Sequence, residues 1–378
     1  MDFELTDEQK GLVDATRSLL TAKSSLAGAR DLIDGPDGFD TALWRHGVEL
    51  GWPALTVAEE DGGLGQQIID LALVTVELGR SLASTPLVPT ALVADALGHS
   101  DNEQKAKLLQ AICEGNLVAS WGFAEFRQPW GPAGITARAQ SHEGGYLLDG
   151  AKVSVQDADS AQLLIVDAVL DDAPARFLVS TDADGLRIVR QNTLDVTRSY
   201  CDVTLTQVKV DAAALLASGD EARRSLARTM QLSTVLACAE LVGIGSRLLD
   251  MTVGYVKERE QFGRPVGSFQ AVKHKCADMR IWVQASTAAT YYAAMTLDSE
   301  HHDSERAVSI AKAYVSDAIN RVAGQALQLH GGIGFTWEHD LHLFLRRARV
   351  NSMLSGDARH HRERLCASLE ADLAGAAG

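Results

Sequence analysis

The sequence predicts an α+β chain in three parts: a helical domain over residues 1–117, a β-domain over 118–212 and a helical bundle over 213–378. Three observations carry this. Apolar residues recur every three or four positions in both terminal parts, the spacing of one helix face. Between about Val118 and Val210 they fall instead into short runs broken by turn residues, which is strand chemistry at strand spacing. The stretch Glu258–Met279 joins two long helical patterns through the loop Phe262-Gly263-Arg264-Pro265-Val266-Gly267, so the pattern alone gives a helical hairpin.

Taken in order, Thr6-Asp7-Glu8-Gln9 has the form of a capping box, followed by a stripe of Leu12, Val13, Thr16, Leu19 and Leu20. Trp44–Trp52 reads as a short helix ending near Gly51. Glu59-Glu60-Asp61-Gly62-Gly63-Leu64-Gly65 lacks the GK[ST] ending of a phosphate loop and carries three acids, so it reads as a tight connection. Asp70–Leu82, Pro89–Leu97 and Asn102–Cys113 are further helices. Gly144-Gly145 is a hairpin turn leading into Tyr146-Leu147-Leu148, and Leu163–Val169, Arg176–Ser180, Leu186–Val189 and Val203–Val210 are strands of an antiparallel barrel or sandwich. From Asp211 the pattern is helical to the end. Ser268 is read as the cap of a helix whose buried stripe is Phe269, Val272, Cys276, Met279 and Val283. Ser304–Leu329 carries Val308, Ala311, Val315, Ile319, Val322, Ala326 and Leu329 on one face, and Gly331-Gly332 stops it.

Composition bounds the function. The net charge is 35 − 50 = −15, which argues against nucleic-acid contact and gives no attraction to anionic lipid. A local basic patch remains compatible with a phosphate-bearing cofactor. The five cysteines, Cys113, Cys201, Cys238, Cys276 and Cys366, form no CxxC pair, which argues against disulfides and structural zinc and fits a reducing, cytoplasmic setting. The N-terminal twenty residues lack the form of a signal peptide, and no run of eighteen apolar residues offers a membrane span. His360-His361-x-Glu363 has adjacent histidines and no third ligand, so a solvated helix face is expected and no metal.

The block Glu258–Met279, through Arg259, Phe262, Gly263, Phe269 and Gln270, closely resembles a signature of the acyl-CoA dehydrogenase family. Gln325–Arg349, QALQLHGGIGFTWEHDLHLFLRRAR, is a second match, and helices, β-domain, helices is that family's layout. The resemblance covers nearly the whole chain. It implies the acyl-CoA dehydrogenase fold with a C-terminal four-helix bundle, FAD as cofactor, α,β-desaturation of an acyl-CoA thioester and an electron-transfer flavoprotein as acceptor. It also implies that Arg259 meets the pyrophosphate of an FAD held by the neighbouring subunit, with Phe262 beside it and Gln270 near the adenine. Arginine suits that role because it stays charged and grips phosphate oxygens in a fork. Gln328, Gly331 and Gly332 are implied to approach the pyrophosphate across the subunit interface, where glycine lets backbone amides come close.

The chain departs from the family where the base should be. One family position for the catalytic Glu falls on Ser355, in Met353-Leu354-Ser355-Gly356-Asp357. The other lies 26 residues before Arg259 (259 − 233) and falls on Ser233. A lone serine is no base at neutral pH. Asp357 is the nearest substitute, and Glu240 lies two helical turns from Ser233. The flavin-ring positions depart too: Ala124 stands where a hydroxyl is expected, Lys152-Val153-Ser154-Val155-Gln156 replaces a Trp-Ile-Thr segment, and Arg127-Gln128-Pro129-Trp130-Gly131-Pro132 replaces a Pro-Gly-Ser-Asp loop. This asymmetry resembles the base-lacking subunit of heteromeric α2β2 dehydrogenases that act on steroid side-chain or other bulky CoA thioesters. Two further readings stay open: a self-sufficient homo-oligomer using Asp357, and a flavin-binding structural or regulatory relative without dehydrogenase activity.

Overall fold

Thr6 accepts a hydrogen bond from the Gln9 amide and the Gln9 side chain receives the Thr6 amide, so both halves of the expected capping box close and open α1 (Asp7–Lys23). The computed structural model describes residues 4–24, 26, 30 and 38–376, apart from the side chains of residues 371 and 374–376. Met1–Phe3, where the stretch read for a signal peptide begins, lie outside the described residues. The chain divides into two units: residues 1–29, 68–83 and 234–378 form one, and residues 30–67 and 84–233 the other.

In the second unit the Asp40 carboxylate caps α2 (Thr41–Glu49) through the Leu43 amide at 2.9 Å. The helix therefore starts before the expected Trp44, and Trp52–Ala54 forms a separate 3-10 turn after Gly51. In the first unit, α3 (Ile68–Ser81) follows. Back in the second unit come α4 (Leu87–Gly98) and α5 (Lys105–Cys113). The latter begins three residues later than expected because Asn102 is engaged elsewhere: its side chain reaches the carbonyls of Ala213 and Leu215.

The strands are β1 (Ala119–Gly122), β2 (Arg138–His142), β3 (Gly145–Gln156), β4 (Leu163–Leu170), β5 (Ala173–Ser180), β6 (Leu186–Arg190), β7 (Tyr200–Asp211) and β8 (Leu215–Ser218). They form one sheet in the order β6-β7-β3-β2-β4-β5-β8, with β1 joined to β4. The sheet is largely antiparallel, but β1 and β4 run parallel, as do β2 and β4 at their single paired position. The expected antiparallel form gives way to parallel pairing there: about forty residues separate β1 from β4, long enough for a crossover. The tight turn is Glu143-Gly144, both at positive φ, and Gly145 already belongs to β3. Residues after Asp211, expected to be helical, instead complete the sheet as β8. Leu97, Leu109, Ile112, Ile165 and Leu178 share one core cluster, and Phe123, Ile135, Leu226 and Met230 another.

The long helix α6 (Gly219–Glu258) passes from one unit into the other at Ser233/Thr234. It is long and apolar enough on average to cross a membrane, yet 78% of its most apolar window is buried in the chain, as in the core helix of a globular domain. The first unit continues with α7 (Gln270–Asp298), α8 (Ser304–His330), α9 (Leu341–Asn351) and α10 (Ala358–Ala376). Ser268 does not cap α7: it lies in the 3-10 turn Val266–Ser268, and Phe269 takes the cap position without a side-chain bond. The predicted stripe is buried only at Met279 and Val283, whereas Phe269, Val272 and Cys276 are half-buried. Where α3 and α6 cross, backbone meets backbone: a Cβ on Gly243 would stand 1.9 Å from the Val76 carbonyl oxygen, and one on Gly79 would stand 2.3 Å from that of Glu240. Beside this crossing, buried Glu240 accepts from Arg347 Nη1 at 3.0 Å and from Asn351 Nδ2 at 2.7 Å.

Candidate functional site

At the C-terminus of α6 the chain turns back on itself. The Arg259 amide still donates to Tyr255 O, and the Val266 amide donates to Arg259 O, both at 2.8 Å. Between them β9 (Glu260–Gln261) pairs with β10 (Arg264–Pro265) around Phe262 and Gly263, both at positive φ, the backbone of a two-residue hairpin. The turn holds Phe262 out in solvent, 91% exposed. Arg264 lies over the Phe269 ring at 4.1 Å. Arg259 is exposed, and its side chain makes no hydrogen bond or ion pair among the described residues. Gln270, the first residue of α7, is exposed as well.

The Gly331-Gly332 turn comes to the same end of the bundle. The helices α7 and α8 have 29 and 27 residues and pack as an antiparallel pair, so the start of one lies beside the end of the other. Gln328 is exposed in the last turn of α8. Gly331 ends the helix at φ 62°, ψ −141°, a conformation that needs glycine. A Cβ on Gly331 or Gly332 would meet nothing within 4 Å, so space is open over both backbones. Ile333, Phe335 and Trp337 follow, all large and exposed. Arg259, Phe262, Gln270, Gln328, Gly331 and Gly332 thus gather at one end of this unit, around an apolar surface. A cation without an internal partner, two free amides and an uncovered glycine turn fit the phosphates and base of a dinucleotide such as FAD.

Neither of the two positions expected to hold a base carries a carboxylate. Ser355 is buried at φ 58°, and its carbonyl accepts from His361 Nε2 at 2.9 Å. Asp357 caps α10, accepting the His360 amide at 2.9 Å. Ser233 is half-buried within α6, and Glu240 is bound to Arg347 and Asn351. His360, His361 and Glu363 do not converge: His361 is buried against Ser355 and Ser309, while Glu363 pairs with Arg359.

The expected solvated face is corrected at His361, which is buried against Ser309 and Ser355, and a second buried ionisable group, Lys312, escaped the sequence reading. Lys312 is fully buried and donates to Asn351 O, and burial pushes its pKa down to about 8. The one signal was a lysine inside the apolar face Val308, Ala311, Val315. Burial likewise pushes His361 down to about 3. The folded protein therefore keeps this imidazole neutral while the unfolded chain protonates it near pH 6.5. Both states are neutral above that value. As pH falls from about 6.5 towards 3, only the unfolded state gains the proton, so stability is lost by at most about 1.4 kcal/mol per pH unit. Urea unfolding between pH 7 and 5 is expected to show a shallower acid slope for His361→Asn than for wild type. An unchanged slope would refute the assignment.

At the expected flavin-ring positions, Ala124 and the Lys152–Gln156 segment are bonded within the β-sheet unit. The Ala124 carbonyl accepts the Val153 amide at 2.8 Å. Glu125 binds buried Lys152 at 2.7 Å together with Thr136 and the Ala137 amide. Burial pushes the Glu125 carboxyl up, but Lys152 and these donors outweigh it and hold it below the usual range. Val153 and Ser154 lie in a bulge of β3 opposite β7, with Ser154 at φ 54°. Trp130 stacks on Phe123 at 5.9 Å, and Phe123 on Trp121 at 5.1 Å.

Residues 6–116 match the acyl-CoA dehydrogenase N-terminal domain, and residues 223–369 the C-terminal domain of the same family. The acyl-CoA dehydrogenase IpdE2 of Mycolicibacterium smegmatis is 31% identical over 364 residues, 96% of this chain and 98% of that protein. Among solved structures, the ChsE4-ChsE5 complex from Mycobacterium tuberculosis superposes with a TM-score of 0.90 at 27% identity, covering 98% of this chain and 99% of that one. A variant of the Tcur3481-Tcur3483 steroid ACAD gives 0.88 at 29% identity, with the same coverage. With both domains matched and a relative 31% identical over 96% of this sequence, the chain belongs to the acyl-CoA dehydrogenase family of FAD-dependent oxidoreductases.

Proposed function

We propose that this chain is the base-lacking subunit of a heteromeric α2β2 acyl-CoA dehydrogenase acting on a steroid side-chain or other bulky acyl-CoA. The observation that carries the reading is the contrast within the chain. Arg259, Gln270, Gln328 and Gly331-Gly332 stand exposed at one end of the bundle, while Ser355 and Ser233 occupy both base positions. Relatives solved as the ChsE4-ChsE5 complex and the Tcur3481-Tcur3483 steroid ACAD support the paired assembly and the substrate class.

FAD, when bound, supplies the acceptor for the β-hydride of the thioester, and an electron-transfer flavoprotein receives the electrons in turn. This chain's residues hold the far end of that cofactor. The Arg259 guanidinium would take pyrophosphate oxygens in its fork, the open space over the Gly331 and Gly332 backbone would let the phosphates approach, Gln270 would reach the adenine, Gln328 would lie beside the pyrophosphate, and Phe262 would help exclude water. The partner supplies the carboxylate that removes the α-proton. Co-expression with a neighbouring dehydrogenase chain tests the assembly: the pair should desaturate acyl-CoA and this chain alone should not. A yellow, active preparation of this chain alone would refute it.

The rival reading places the base on Asp357. Its Oδ1 accepts the His360 amide as a helix cap, so Asp357→Ala is expected to cost about 0.5–2 kcal/mol of stability and leave turnover of the complex within about twofold. Loss of turnover without loss of folding would establish Asp357 as the base.

A further inference from the structure

Arg259 and Gly331 are 72 residues apart in sequence (331 − 259) and leave two different helices, yet both must meet one diphosphate. Something must hold their spacing. The Arg259 amide donates to Tyr255 O, so the hairpin grows directly out of the turn that carries Tyr255. The residue before Gly331 is His330. The rings of Tyr255 and His330 lie face to face, with centroids 4.6 Å apart and planes at 21°. His330 is buried, and its Nδ1 contacts Ala326 O at 2.7 Å, which sets the plane of the ring. His339, from the segment after the glycine turn, meets His330 edge-on at 4.9 Å and 63°. Three segments are thus joined at their roots by aromatic contacts, one stacked and one edge-to-face, geometries that add to the stabilisation from buried area alone.

We propose that Tyr255, His330 and His339 form an aromatic clamp that sets the distance between the Arg259 hairpin and the Gly331-Gly332 turn, and thereby sets how tightly the assembled enzyme holds FAD. The clamp residues are positioning residues, and their role rests on the reading of Arg259 and the glycine turn as FAD contacts. The clamp acts equally if the subunit across the interface is a second copy of this chain.

The test uses the assembled complex, stripped of flavin and titrated with FAD while flavin fluorescence is followed. Tyr255→Phe keeps the flat contact and should bind FAD within about twofold of wild type. Tyr255→Leu keeps the apolar bulk and loses the stack, and should weaken FAD binding roughly 3- to 10-fold, the size of an aromatic pair's contribution, with complex assembly on size exclusion unchanged. If Tyr255→Leu does not assemble, His330→Leu against His330→Phe makes the same comparison from the other ring. Arg259→Ala runs in parallel to separate the two claims. Wild-type binding by the leucine variants while Arg259→Ala weakens FAD would overturn the clamp and leave the cofactor assignment standing. Wild-type binding by Arg259→Ala as well would overturn both.

Discussion

Replacing Glu240 with alanine is expected to cost about 3–5 kcal/mol of folding stability, the penalty for stranding a buried charge. Glu240 is 3% exposed and Arg347 is fully buried. Both Glu240 oxygens are used, one by Arg347 and one by Asn351. Alanine removes the Glu240 carboxylate from a guanidinium that is fully buried. The neighbourhood cannot relax to admit solvent, because α3 and α6 already touch backbone to backbone at Gly79 and Gly243. The double variant Glu240→Leu with Arg347→Met removes both charges at similar volume and should recover most of the loss. Denaturant unfolding of the three proteins checks this, and a single-variant loss below about 1 kcal/mol would show that the pair is solvated.

Arg259→Ala is expected to act in the opposite manner, sparing the fold and harming the complex. Its side chain has no partner among the described residues, so stability of the chain alone should change by less than about 0.5 kcal/mol. One hydrogen-bonded charge contact is worth about 1.5–3 kcal/mol, so FAD affinity of the assembled enzyme should fall roughly 10- to 150-fold. Arg259→Lys should recover only part, since an ammonium cannot present the planar fork. Equal FAD affinity in all three proteins would remove Arg259 from the site.

Local chemistry made parts of this molecule readable. The capping box at Thr6, the glycine stop at Gly331 and the hairpin loop at Phe262-Gly263 each depend on residues within a few positions of one another. What could not be read depends on residues far apart. Ser268 has the right chemistry for a cap, but the hairpin pairing of Gln261 with Arg264 and the turn at Val266 move the helix start beyond it. The half-buried Phe269, Val272 and Cys276 look like core in a periodicity plot, and nothing in the spacing says that the neighbouring helix surface ends there. The run Leu163–Val169 carries no period-two pattern because β4 is buried on both faces, and a parallel neighbour such as β1 leaves no mark of its own. Lys312 and His361 are legible as titratable residues, but their depressed pKa values come from burial by segments distant in sequence. The Tyr255–His330 stack joins residues 75 positions apart (330 − 255), so it emerged only with the fold. The family signature was legible because Arg259, Phe262, Gly263 and Gln270 sit in one short block.

The most direct test of the central claim is the flavin-to-chain ratio, measured by absorbance on this chain alone and on its complex with the base-bearing subunit, each after incubation with excess FAD and desalting. One FAD per heterodimer, with none retained by this chain alone, is the predicted result. One FAD retained per copy of this chain in the absence of any partner would contradict it.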